Sequence, residues 1–132
     1  MKFIFIGAGY CSEFIIPLIS KKFEIIGIHK SLPFNFRFKN FKNVKRYDLK
    51  SFLNKSKKIL EDTTHILVSV PPDINGDFIL KKITPYLNIN ESLQWIGYFS
   101  STGVYGDYKG QWVNEKSELK TNNLRSINRI KA

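Results

Sequence analysis

Three hydroxyls, Ser100, Ser101 and Thr102, follow an apolar run and open the stretch FSSTGVYGDYKGQWVNE, residues 99–115. Hydroxyls in such a place can polarise a carbonyl or orient a general acid. Near the start of the chain, FIFIGAGYCSEF sets Gly7 and Gly9 between a β-rich run and a helical pattern. Gly7 would permit a tight turn. Gly9, followed by Tyr10 and Cys11, would let a pyrophosphate approach the backbone at a helix N-terminus. Ser12 stands where a dinucleotide loop carries its third glycine, and it is small enough for close helix–strand packing.

These residues need elements to hold them. Apolar runs and helical spacings alternate along the chain: strands are predicted over 2–6, 24–29, 43–47, 65–70 and 92–99. Helical patterns cover 10–22, with Pro17 as a blemish, then 49–60 and 77–87. A last helix carries Leu124, Ile127 and Ile130, with Asn122 or Asn123 as its cap. Strands alternating with helices imply an α/β fold, a doubly wound parallel sheet with helices on both faces. At 132 residues the chain is expected to form a single domain. Residues 31–42, SLPFNFRFKNFK, alternate like a strand, yet Pro33 and the charges suit an edge or loop.

Composition narrows the class. An apolar share of 42% argues for a folded chain rather than a disordered one. Apolar runs of at most about six residues are too short to span a membrane, and Glu13 soon interrupts any signal-peptide pattern. One cysteine, Cys11, excludes an internal disulfide and a cysteine-cluster metal site, so the cytoplasm is the expected compartment. The net charge of +10 is concentrated: residues 21–60 hold twelve Lys and Arg against Glu24 and Asp48, and the rest of the chain is balanced. Such a block attracts phosphate of some kind, unless it is simply a solvated lysine-rich surface.

An NAD-specific site offers an Asp or Glu to the ribose diol after its second strand. Here that tip reads His29-Lys30-Ser31, without a carboxylate. Lys30 and Ser31 suit a 2′-phosphate, which favours NADP over NAD. Asp48, at the end of the third run, is counted with the cofactor-side residues. Ligands of parallel sheets bind outside the carboxyl ends of the strands, which adds Ser69, Val70, Pro71 and Pro72 after the fourth strand and Ser100 after the fifth.

Taken together, GAGYCSEF, THILVSVPPDINGD and LQWIGYFSSTGVYGDYKGQWVNE resemble the extended short-chain dehydrogenase/reductases. The resemblance is to their atypical NAD(P)-dependent epimerase/dehydratase-like members, and it implies a Rossmann-like, doubly wound parallel sheet of about five strands, ordered 3-2-1-4-5. It implies that Ser101 hydrogen-bonds a substrate oxygen and a catalytic tyrosine, with Thr102 a weaker candidate beside it. It also implies a Tyr-x-x-x-Lys pair about 25 residues beyond the serine, where the chain reads NLRSINRIK. No tyrosine stands there, and an arginine cannot replace it as acid/base because it stays protonated. The family continues with a sixth strand and a substrate region. A truncated, catalytically incomplete domain is therefore expected, with no substrate identifiable.

Two other readings compete. One is a non-catalytic NADP-binding or interaction module completed by a partner chain. Strand five, with Trp95, Ile96 and Phe99, would then be an open edge for that chain or for self-association. The other is a nucleic-acid binder using Lys39, Lys42, Lys45, Arg46 and Lys50 with Phe36, Phe38 and Phe41 between them. Phenylalanines beside a large sheet more often belong to its core or cover, and NADP would explain part of the same charge. Nucleic acid is the less favoured partner on this reading.

Overall fold

A computed structural model describes residues 1–30 and 44–132. Its elements are β1 (Lys2–Ile6), α1 (Tyr10–Ile19), β2 (Glu24–His29), β3 (Val44–Asp48), α2 (Leu49–Leu60), β4 (His65–Val68), α3 (Phe78–Leu87), β5 (Trp95–Tyr98), a 3₁₀ turn (Thr102–Tyr105) and α4 (Leu124–Lys131). The phenylalanine-rich stretch 31–42 and Ser31 lie outside the described residues. The chain divides into two compact units, Met1–Val70 with Lys82–Tyr98, and Pro71–Lys81 with Phe99–Ala132.

The first unit contains the whole sheet. Its strands are all parallel and ordered β3-β2-β1-β4-β5, the predicted order. β1 lies at the centre, pairing Phe3 with both Ile25 and His65, and Ile6 with both Ile28 and Val68. Residues 3–6 are all buried, as a strand covered on both faces requires, and that is why the run is apolar without alternation. Ile4, Ile6, Ile16, Ile25, Ile28, Phe52, Leu60 and Ile66 form the solvent-free centre. The β1–β2 and β3–β4 connections cross the sheet in opposite directions, so right-handed crossovers put α1 and α2 on opposite faces.

Element ends follow from side-chain hydrogen bonds. Asp48 caps α2 with both carboxylate oxygens: Oδ1 accepts from the Ser51 amide at 2.8 Å and Oδ2 from the Ser51 hydroxyl at 2.6 Å. These bonds hold its carboxyl below the usual range. At the other end of α2, the Asn90 amide donates to the carbonyls of Leu60 (2.7 Å) and Thr63 (2.8 Å). β4 ends at Val68, two residues before the predicted end, with the Ser69 amide closing the ladder on the Ile6 carbonyl at 2.8 Å. α1 ends at Ile19 rather than at residue 22, since Lys22 and Phe23 both turn their amides back to the Ile19 carbonyl. Pro17 sits inside α1 without ending it.

In the second unit, Asn123 Oδ1 caps α4 by accepting from the amides of Arg125 (3.0 Å) and Ser126 (3.3 Å). Leu124 and Ile130 on the apolar side of this helix are exposed, while Ser126 and Asn128 are buried. The Arg129 guanidinium donates to the Phe99 carbonyl at 2.5 Å, which fixes the rotation of the helix. Among the described residues, no helix is long and apolar enough to cross a membrane.

Phe52 is fully buried on α2. Truncation to alanine should cost about 3–5 kcal/mol of unfolding free energy, measured by denaturant titration. A loss below about 1 kcal/mol would mean that α2 contributes little to the core.

Candidate functional site

Two clusters of the predicted residues can be described, one in each unit. In the first unit, the chain leaves β1 at Gly7 with φ +90°, a left-handed conformation that side chains avoid. A Cβ at Gly7 would also lie 2.8 Å from both the Ser69 hydroxyl and the Val70 side chain. Three hydrogen bonds lock the turn from two sides. The amides of Gly7 and Ala8 donate to the Ile28 carbonyl at 3.0 and 2.8 Å, and the Ser69 hydroxyl donates to the Gly7 carbonyl at 2.5 Å. Gly7, Ser69 and Val70 are therefore brought together, and Ser69 acts as a brace of the loop.

Gly9 differs from Gly7. Its φ is −125°, and a Cβ there would meet nothing nearer than the Gly7 carbonyl at 3.8 Å. The space in front of this residue is open. Ser12 is buried, and its hydroxyl donates to the Gly9 carbonyl at 2.5 Å. That bond ties the first turn of α1 to the loop. Tyr10 and Cys11 are exposed on that turn, where backbone amides have no acceptor within the helix. An open approach to a glycine before a helix N-terminus, with free first-turn amides, fits a pyrophosphate.

At the tip of β2, His29 does not supply a cation. Burial first, and then the nearby Arg46 guanidinium, hold its pKa below the ordinary histidine value. Its ring folds back along the strand, with Nε2 3.3 Å from where a Cβ on Gly27 would sit. Lys30 is exposed beside it. Arg46 pairs with Gly27 across β2 and β3, so it lies on the same sheet face as His29. Arg46 was grouped with the nucleic-acid candidates from sequence; the period-2 alternation of Val44, Arg46 and Asp48 could have placed it here. Asp48, capping α2, has both carboxylate oxygens occupied by Ser51.

In the second unit, Ser101 caps the 3₁₀ turn, its Oγ accepting from the Gly103 amide at 3.2 Å. A Cβ on Gly103 would lie 2.8 Å from the Ser126 hydroxyl and 3.5 Å from that of Ser101. Both hydroxyls thus border the same glycine. Ser126 has no counterpart among the predicted residues, because serine on a polar helix carries no distinguishing signal. Ser100 and Thr102 are exposed, Pro71 is exposed and Pro72 is half-buried in this unit. Among the described residues there is no group of His, Cys, Asp and Glu able to hold a metal ion.

His29 gives a pH signature. Its folded-state pKa is depressed, so the unfolded chain takes up the proton first and stability rises with pH. The His29 contribution should be complete above about pH 6.5 and lost progressively below it. Unfolding free energies measured from about pH 7.5 to about pH 5 should show this decline, and His29→Gln should flatten it. An unchanged slope in the variant would assign the decline to other groups.

No protein-family model matches the chain, and no curated protein matches it. Solved structures do. A functionally unknown conserved protein from Silicibacter pomeroyi is 25% identical, with a TM-score of 0.75 over 98% of this chain and 46% of that one. A UDP-N-acetylglucosamine 4-epimerase from Methanobrevibacter ruminantium is 15% identical, with a TM-score of 0.76 over 98% of this chain and 47% of its own. The dTDP-glucose 4,6-dehydratase of Bacillus anthracis, solved in complex with NAD, is 15% identical, with a TM-score of 0.72 over 98% and 47%. The chain spans about half the length of the structures it matches. Its five parallel strands in the order 3-2-1-4-5 form a Rossmann-like α/β fold, the fold of these epimerase and dehydratase structures over that half.

Proposed function

We propose that the chain is the NAD(P)-binding part of an epimerase-, dehydratase- or reductase-like protein, and that it prefers NADP. The observation that carries this reading is the loop at Gly7 to Ser12: a left-handed glycine braced by Ser69, then an open glycine before a helix N-terminus. The pyrophosphate would lie against Gly9 and the first-turn amides of Tyr10 and Cys11. Lys30 and Arg46 would face the 2′-phosphate, while neutral His29 contributes shape rather than charge. Ser31 keeps the part in 2′-phosphate binding that its sequence position suggests. Val70, Pro71, Pro72 and Ser100 are assigned to the nicotinamide side. When bound, the dinucleotide supplies hydride transfer.

Ser101 is proposed to orient a substrate oxygen, with Ser126 as a second hydroxyl beside Gly103. The general acid/base is a separate matter. α4 presents Arg125, Ser126 and Arg129 where a tyrosine and lysine would be expected, which favours a domain that does not catalyse redox chemistry by itself. A second reading, a module completed by another chain, is favoured by β5: it is the last strand of the sheet, and its Trp95 and Ile96 are both exposed.

Calorimetric titration should give a lower Kd for NADPH than for NADH, by about tenfold or about 1.4 kcal/mol. Gly9→Val should abolish binding of both without unfolding the chain, because its Cβ has room in the free protein. Equal affinities would remove the NADP preference, and unaltered binding in Gly9→Val would remove the dinucleotide site. For the β5 edge, sedimentation across a concentration series should show self-association that Ile96→Lys weakens. A monomer at every concentration would mean that the edge is already closed.

A further inference from the structure

The excess positive charge of this chain does not gather at the glycine loop. Gly7 follows the carboxyl end of β1, yet most of the described lysines of the basic block lie at the amino ends of the strands and along α2. A cavity of about 730 Å³ is lined there by Lys2, Lys21, Lys22, Phe23, Glu24, Lys45 and neighbouring residues. A second, of about 390 Å³, shares Lys2, Glu24 and Lys45 with it and adds Tyr47, Lys55 and Lys58. A third, of about 350 Å³, shares Lys55 and Lys58 with the second. The three adjoin through these shared residues, making a lysine-lined groove in the first unit from the start of the sheet to α2.

Its charge is only partly neutralised. Lys45 pairs with Glu24 at 2.6 Å, and Lys2 pairs with Asp62. Lys21, Lys22, Lys55, Lys57 and Lys58 are exposed and have no ion pair among the described residues. A bound NADP would leave these cations unexplained, since a 2′-phosphate at the tip of β2 lies at the opposite end of the strand from Glu24.

We propose that this groove binds the phosphate backbone of a nucleic acid strand. Several exposed lysines spread over adjoining clefts suit a chain of phosphates better than one compact anion. Phe23 and Tyr47, half-buried in the lining, give flat surfaces beside the lysines on which bases can stack. The site differs from the phenylalanine-rich stretch considered from sequence. Lys45 is the residue common to both.

The test uses the full chain and a fluorescein-labelled oligo(dT) of about 20 nucleotides, with anisotropy read from about 50 to about 200 mM salt. Binding should weaken steeply with salt. Lys21→Glu/Lys22→Glu and Lys55→Glu/Lys58→Glu should each weaken it by at least about tenfold at low salt and lower the salt slope by about two. Lys116→Glu/Lys131→Glu, with the same change in net charge in the other unit, should alter affinity less than about twofold. Thermal unfolding midpoints of all three variants should match the parent, because every substituted lysine is exposed. The proposal is overturned if the control pair weakens binding as much as the groove pairs, or if poly-L-glutamate of equal charge displaces the oligonucleotide equally well. The second outcome would point to an acidic protein partner. NADPH affinity should be the same in the groove variants and the parent, which separates this site from the dinucleotide loop.

Discussion

The close approach of Gly7 to Ser69 is the constraint on which the first unit turns. β1 is buried along residues 3–6 and pairs on both sides, so its end must emerge between β2 and β4 with no room to spare. A glycine at φ +90° makes that exit possible. The Ile28 carbonyl accepts from two amides on one side, and the Ser69 hydroxyl donates to the Gly7 carbonyl on the other. The loop is thereby held by both neighbours of the central strand. Ser69 serves both sides of this device: its amide closes the β1–β4 ladder on the Ile6 carbonyl while its hydroxyl braces the turn.

Rigidity at Gly7 and openness at Gly9 are complementary. A binding loop that must present backbone amides to an anion gains from being preorganised, since little ordering remains to oppose binding. The Ser12 hydroxyl extends this by tying the first turn of α1 to the Gly9 carbonyl. Electrostatics divides the unit along the strand direction. The glycine loop lies at the carboxyl ends, with Arg46 and Lys30 nearby. The lysine groove lies at the amino ends, where Glu24 and Asp62 offset only two of its cations.

The second unit has a different logic. Its 3₁₀ turn is held by Ser101, by the tight packing at Gly103, and by a left-handed Gly106 close to the Lys120 carbonyl. α4 is oriented by polar bonds, the Asn123 cap and the Arg129 contact with the Phe99 carbonyl, rather than by burial of its apolar residues. Hydrogen bonds to a backbone carbonyl from a charged donor are among the stronger ones, and here they orient a helix two of whose aliphatic side chains stay exposed.

Local chemistry made most of the fold legible. Continuous β-branched runs, helical spacings and glycines at strand ends depend on neighbours in the chain, so Gly7, Gly9 and Ser12 could be placed on a loop of a parallel α/β sheet from sequence alone, while the strand order followed from the family resemblance. Asn123 was likewise readable as a cap, because capping is set by the few residues that follow it. Other features depend on what lies across the sheet. The charge of His29 was set by burial and by Arg46 on the next strand, seventeen positions away, and Asp48 was drawn into capping by Ser51. The rotation of α4 was set by a bond spanning thirty residues, from Arg129 to Phe99. Lysines that looked like one block in sequence became a groove at the end of the sheet away from the glycine loop, because parallel strands collect their amino ends on one side. Periodicity and turn chemistry are local and survive in sequence; pKa values, helix rotation and charge fields are sums over neighbours that only the tertiary structure assembles.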